Sequence, residues 1–379
     1  MANPHGIKTL EITTGTRPSA EASTAVIGLV ATSSDADIAA FPADTPVLFT
    51  DIYAAIAKAG VNGTLSKSLL AIAQQCNPTL VIVRVAEGAN PAATETAIVG
   101  TVTNAGKKTG LKALLAAKAQ LGVQPKIIGV PGLDTQVVAT ELASIAAKLD
   151  AMAYVRAIGA TIAEATAYRA GFISREMMLI WPDFTDWTGS AVARALGLRA
   201  LIDQREGWHR SLSNVAVQGV TGLSKDVFFD ISGENTDTQI LNDAEVTALI
   251  RNEGFRFWGN RTCSDEPLFA FEPAVRSGAA VRQIIRDSLT WAIDKPLTAS
   301  LVKDIIETGN NALRKLVAQG YLIGASMWYD PAKNAQAQLA GGKLVIDYDY
   351  TPCAPLESLT LNQRITDTYY ANLADQIAA

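Results

Sequence analysis

The sequence predicts an α/β protein: a central layered domain on a mainly parallel sheet, followed by a C-terminal α+β domain. Three observations carry this expectation. Apolar, β-branched runs alternate with helical stretches through the middle of the chain, two long amphipathic helices follow beyond about residue 255, and both ends read as strands with a period of two.

The strand-like runs are TLVIVRV at Thr79–Val85, KIIGV at Lys126–Val130, MAYVRAI at Met152–Ile158 and MMLIW at Met177–Trp181. Each is apolar at nearly every position, as expected of strands covered on both faces. Between them lie helix-like stretches at Leu111–Lys118, Val137–Leu149, Ile162–Phe172 and Ala191–Gln204. Alternation of this kind argues for βαβ units and a parallel sheet between helical layers.

The segment Gly254–Thr262 (GFRFWGNRT) interleaves aromatics with arginine and reads as a strand leaving the α/β layer. The first long helix, at about Pro273–Ile293, keeps Val281, Ile284, Ile285, Leu289 and Ala292 at helical spacing, with Arg282 and Arg286 on another face. In the second, at about Leu297–Gln319, Val302, Ile305, Ile306, Leu313, Leu316 and Val317 form the apolar stripe. Its opposite face carries Lys303, Glu307, Asn310 and Arg314, by default a solvated face.

The chain then turns to half-exposed strands. In Lys343–Tyr350 the residues Leu344, Ile346, Tyr348 and Tyr350 alternate with Lys343, Val345, Asp347 and Asp349. Beyond Pro352 and Pro355, Leu359, Leu361 and Ile365 fall on one side and Ser358, Thr360, Asn362 and Arg364 on the other. The start is similar but weaker, with Leu10 and Ile12 alternating with Thr9, Glu11 and Thr13. Two strand-capable termini on turn-rich linkers are what strand exchange between subunits requires.

Composition narrows the function. The 379 residues are 49% hydrophobic, enough for large cores, and 32 Lys+Arg against 37 Asp+Glu give a net charge of −5. There is no global basic field to hold a nucleic acid, and no apolar run approaches the roughly 20 residues of a membrane span. A protein without direct nucleic-acid contact or membrane insertion is expected. The opening MANPHGIKTLEITTG lacks the pattern of a secretory signal, so assembly in a cytoplasm is expected. Cys76, Cys263 and Cys353 show no CxxC spacing and are expected as reduced thiols, neither a disulfide framework nor a zinc site.

An α/β layer commonly hosts enzymes, so catalytic candidates were weighed. Gly129–Asp134 (GVPGLD) follows a strand but fits no dinucleotide or phosphate-loop pattern, and Pro131 removes an N–H a phosphate would use. His5 and His209 are the two histidines, too few for a histidine metal site. Asp183 and Asp186, flanking Phe184, read as an acid–base pair or, more simply, as helix caps. No GxSxG elbow is present. The expectation is no catalytic residue, no metal and no cofactor.

At HGIKTLEI (His5–Ile12), PVLFTD (Pro46–Asp51), TGLKALL (Thr109–Leu115), VPGLD (Val130–Asp134), GFRFWGNRTCS (Gly254–Ser264), WAIDKPLTASLVKDI (Trp291–Ile305), QGYLIGA (Gln319–Ala325), GKLVIDYDYTP (Gly342–Pro352) and PLESLTLNQRITD (Pro355–Asp367), the sequence resembles the tail sheath proteins of contractile-tailed phages. The likeness is to the short sheaths of temperate myophages, with R-type bacteriocin sheaths as relatives, and it runs over essentially the whole chain.

The resemblance implies a structural virion protein. Its subunits form six-fold rings stacked helically around a tail tube, with baseplate and terminator proteins at the ends, and contraction drives the tube through the host envelope without nucleotide hydrolysis. It implies arms at 1–24 and 356–379, an outer α/β domain at 25–255 and an inner sheath domain at 256–355. On this reading Ile7, Leu10, Ile12, Leu359, Leu361 and Ile365 are donated to a neighbour, whose acceptor sheet carries Leu344, Ile346 and Tyr348. The placement of Lys303, Glu307 and Arg314 against the tube is an inference on top of the resemblance. The competing readings are a bacteriocin or secretion-system sheath and a Rossmann-like nucleotide-binding enzyme, which would account for residues 78–210 alone.

Overall fold

The computed structural model describes residues 24–370 together with Leu373, Gln376 and Ile377. The expected N-terminal strand with Ile7, Leu10 and Ile12, and His5 with it, lies outside the described residues. The strands are β1 (Ile27–Thr32), β2 (Pro46–Phe49), β3 (Leu80–Val85), β4 (Ile127–Gly129), β5 (Met152–Arg156), β6 (Met177–Trp181), β7 (Ala216–Val217), β8 (Val246–Arg251), β9 (Phe255–Trp258), β10 (Leu322–Tyr329) and β11 (Ile346–Pro352). The α-helices are α1 (Ile52–Ile56), α2 (Leu65–Ala73), α3 (Pro91–Val99), α4 (Ala117–Leu121), α5 (Gln136–Leu149), α6 (Ile162–Arg169), α7 (Ser190–Arg205), α8 (Asp237–Asp243), α9 (Glu272–Leu289), α10 (Ala299–Ala318) and α11 (Gln336–Ala340).

A nine-stranded sheet runs in the order β2-β3-β1-β4-β5-β6-β8-β9-β7. Its centre, from β3 to β8, is parallel, and β2, β9 and β7 join antiparallel at the edges. The strands are buried because each sends alternate side chains into two cores. In β1, Ile27, Leu29 and Ala31 enter the core shared with α1, α2 and α7, while Val30 enters the core shared with α5 and α6. This is the packing that the apolar runs predicted.

Two local readings differ. Leu111–Lys118 is mostly a 3-10 turn, Gly110–Ala116, running into α4. Leu111, Ala113 and Leu114 are all buried, and the tight turn fits a spacing that a 3.6-residue repeat does not. The aromatic segment after Gly254 does not leave the layer: β9 pairs with both β8 and β7. Phe257 is fully buried, and its ring meets Phe184 edge-on at 6.4 Å.

The C-terminal unit is small. The antiparallel pair β10–β11 forms its sheet, and α9 and α10 cover one face, with Val281, Ile284, Leu313 and Leu316 of the helices clustered with Leu322 and Met327 of β10. Both helices fall where their apolar spacing put them, and Thr298 caps α10 by accepting from the Leu301 N–H at 3.2 Å. Helix α9 belongs to both units: Val275 lies in a core of the large sheet, whereas Ala280 to Ile285 pack on α10.

Candidate assembly interface

Two features of the C-terminal unit bear on assembly: an open-edged sheet and an unpaired tail. In β11, Ile346, Tyr348 and Tyr350 pack towards the helices, as the period-two pattern predicted. The fit is close at both helices. A Cβ at Gly278 would stand 2.5 Å from the Tyr350 hydroxyl, and one at Gly309 would collide with the Met327 sulfur. Leu344 falls outside the strand. The side chain of Asn334 takes both backbone groups of Val345, donating to its carbonyl at 2.9 Å and accepting from its N–H at 2.8 Å, so the ladder starts at Ile346.

The stretch from Cys353 to Thr366 forms no strand within the subunit. Leu359, Leu361 and Ile365 are 69%, 81% and 98% exposed. Near its root the tail is tied down at one point. Arg261 donates to Glu357 through Nε at 3.1 Å and Nη2 at 2.7 Å, and its guanidinium lies 5.2 Å over the Phe271 ring. Such a two-pronged pair fixes orientation more than it adds stability at a half-exposed site.

On α10, Lys303, Glu307 and Arg314 are exposed together on one face. Arg314 pairs with Glu307 at 2.7 Å and Lys303 stands beyond them along the helix. Asn310, expected on the same face, instead turns onto the sheet. It accepts from the Met327 N–H at 2.9 Å and donates to the Met327 carbonyl at 2.8 Å. Helical spacing gives a face only to within a side chain's reach, and an amide reaches backbone that a charged group would not.

Where the two units meet there is a buried charge network that sequence reading missed. Arg199 and Asp203 on α7 are wholly buried and pair at 2.7 Å. Arg199 also reaches Glu272 at 3.5 Å, and Arg276 pairs with both Asp203 and Glu272. The Tyr154 hydroxyl donates to Glu272 at 2.7 Å. Burial first, then the Glu272 charge, pushes the Tyr154 phenol well above its ordinary range. Burial opposes the charge of Arg276, but Asp203, Tyr154 and Glu272 outweigh it and raise its pKa. The signal was two i, i+4 ion pairs, Arg199–Asp203 and Glu272–Arg276, set among small and apolar neighbours in α7 and in the first half of α9.

The residues weighed as catalytic candidates are held in structural contacts. Asp183 caps α7, accepting from the N–H groups of Gly189 and Ala191, so that helix N-terminus is filled from within the chain. Asp186 pairs with Arg194 at 2.9 Å. Gly132 and Gly189 pack backbone to backbone, leaving no cradle at the Gly129–Asp134 turn. His209 stacks edge-on against Tyr321 at 4.8 Å, and burial lowers its pKa. Among the described residues no group of three or more His, Cys, Asp and Glu side chains is arranged for a metal, the three cysteines are unpaired, and no helix is long and apolar enough to cross a membrane.

This architecture is the fold of solved contractile sheaths. The chain superposes on the helical sheath of the anti-feeding prophage in its contracted state with a TM-score of 0.71 and 18% identity, covering 96% of this chain and 98% of that one. The sheath of an extracellular contractile injection system, the PVC complex in its contracted state, gives a TM-score of 0.69 and 16% identity over 97% and 99% of the two chains. At these identities the likeness is one of fold.

The sequence carries the family itself. Three family models match: the tail sheath protein Gp18 domain III N-terminal region over 24–85, the phage tail sheath protein central domain over 106–263, and the phage tail sheath C-terminal domain over 264–366. The tail sheath protein of Escherichia phage P2 is 50% identical, covering 98% of each chain. The major tail sheath protein of Serratia phage KSP20 is 43% identical over 97% of this chain and 96% of that one. The chain belongs to the phage tail sheath family and is a structural sheath subunit.

Proposed function

We propose that the subunit polymerises with other copies into six-fold rings stacked as a helix around a tail tube, bounded by baseplate and terminator proteins, and that contraction of this sheath drives the tube through the host envelope. The observation that carries this reading is the exposed tail from Leu356 to Asp367, with Leu359, Leu361 and Ile365 left in solvent beside a sheet of two strands. Burying each of these side chains on a neighbour is worth about 1.5–3 kcal/mol, and pairing satisfies the backbone of both partners. The acceptor is the sheet carrying Ile346 and Tyr348, with Leu344 at its margin; the N-terminal arm with Ile7, Leu10 and Ile12 is the second donor.

The labour divides along the chain. Arms at 1–24 and 356–379 link subunits, the α/β domain from residue 25 faces outward, and the domain ending at residue 355 faces the tube, with the border just beyond β9 rather than at 255. Lys303, Glu307 and Arg314 hold the tube by charge contacts, since exposed charges tune partner choice more than fold. Energy comes from a trapped extended lattice, so neither catalytic residue nor cofactor takes part. The site of action is the virion, after assembly in the host cytoplasm. The likeness to chains of the anti-feeding prophage's helical sheath and baseplate supports self-assembly and baseplate contact here.

Negative-stain microscopy of purified protein tests this directly. Striated tubes of one width are expected in buffer free of nucleotide, divalent metal and tube protein. Strict dependence on ATP or a metal ion would contradict the proposal.

A further inference from the structure

Asn310 does more than fill space under the C-terminal sheet. In an antiparallel pair, each residue directs its N–H and C=O either both to its partner strand or both outward, alternating along the strand. Met327 gives both groups to Asn310, so its outward side is the outer edge of β10, and that edge is closed at the middle of the strand. Tyr348 stands directly opposite Met327. By the same alternation Ile346, Tyr348 and Tyr350 direct their backbone groups to the outer edge of β11, where among the described residues no side chain closes them in this way.

We propose that Asn310 selects the acceptor edge: it blocks β10, so that the C-terminal arm of a second copy, Leu356–Asp367, pairs with β11, and the second donated strand adds outside that arm. The proposal rests on the arm-exchange reading and adds to it which edge is used and which residue decides. A strand on β11 sets its alternate side chains beside Ile346, Tyr348 and Tyr350, where Leu359 and Leu361 extend the face packed on α9. A strand on β10 would first have to displace two hydrogen bonds.

The test uses mixed pairs of full-length chains in a Cys76→Ser, Cys353→Ser background, so that a disulfide-linked dimer reports contact between copies. One chain carries a cysteine walked through Ser358, Leu359, Thr360, Leu361 and Asn362. The other carries either Asp349→Cys on β11 or Ser326→Cys on β10, which face each other in the ladder. Adjacent strands bring Cα atoms within the roughly 4.4–6.8 Å that a disulfide spans, and strands two apart, about 10 Å away, do not. Oxidised tubes are expected to give dimers with Asp349→Cys and none with Ser326→Cys. Adding Asn310→Ala to the acceptor chain is expected to open β10, raising Ser326→Cys dimers from undetected to a level comparable with β11. Dimers at Ser326→Cys with Asn310 intact would overturn the edge assignment while leaving arm exchange standing. Dimers at neither strand, in well-formed tubes, would overturn arm exchange itself. Unchanged absence of β10 dimers in the Asn310→Ala tubes would remove Asn310 as the selector.

Discussion

Tyr154, in the middle of the large sheet, donates its hydroxyl to Glu272 in the first turn of α9 at 2.7 Å, and both side chains are fully buried. That bond joins the α/β layer to the C-terminal unit through α9, which packs in both. Around it Arg199, Asp203 and Arg276 complete a set of charges shut off from water. Separating the two units would break these ion pairs and the Tyr154–Glu272 bond together, and any rearrangement that removed one partner while its mate stayed buried would be costly.

It follows that Arg276→Ala should cost the unassembled subunit about 3–5 kcal/mol, because Asp203 and Glu272 keep their burial and are left to share the single cation of Arg199. Unfolding in urea should remain one transition by both tryptophan fluorescence and circular dichroism, since α9 spans both cores. Two separated transitions in the parent protein would show that the joint is not a coupling element.

Lys126 gives a pH signature. Its ammonium is buried and donates to the Leu149 carbonyl at 2.9 Å, and burial, opposed by Asp150, lowers its pKa to about 8. In the unfolded chain the pKa is about 10.4. Between those values the unfolded state binds more protons, so stability rises with pH. The urea midpoint of the unassembled subunit is expected to climb from pH 8 to pH 10, and Lys126→Met should flatten that slope.

Much of the fold could be read beforehand because doubly covered strands leave long apolar runs, and α5, α7, α9 and α10 keep clean helical spacing. The errors have physical causes. Residues 110–116 bury side chains at three-residue spacing, and β9 lies next to the edge, covered on its outer side only by the two-residue β7, so that Arg256 among its aromatics resembles an exit from the sheet. Asn310 looks solvated because spacing cannot show an amide bending onto backbone. The charge network hid because Arg199 and Arg276 carry the residue type of a surface face. Of the interface, the alternation of Ile346, Tyr348 and Tyr350 was legible in full. The tail beyond Pro355 shows alternation without a ladder inside the subunit.

Charge reversal on α10 separates fold from partner choice. Lys303→Glu with Arg314→Glu breaks the exposed Arg314–Glu307 pair, worth less than about 1 kcal/mol, so bare sheath polymer should persist. Assembly of extended tails on the tube should weaken, scored by microscopy of complemented particles. Normal extended tails from the double variant would remove this face from the tube contact.

The central claim is that the arms link the subunits, and sedimentation with microscopy of three variants tests it most directly: deletion of Met1–Ser19, deletion of Leu356–Ala379, and Leu361→Asp. Neither of the large sheet's cores nor the α9–α10 core draws on residues 356–370. Each variant is therefore expected to give small soluble species with near-native circular dichroism and no tubes, the single substitution by placing a charge where Leu361 must be buried on a neighbour. Well-formed tubes from either truncation would contradict arm exchange as the basis of the sheath.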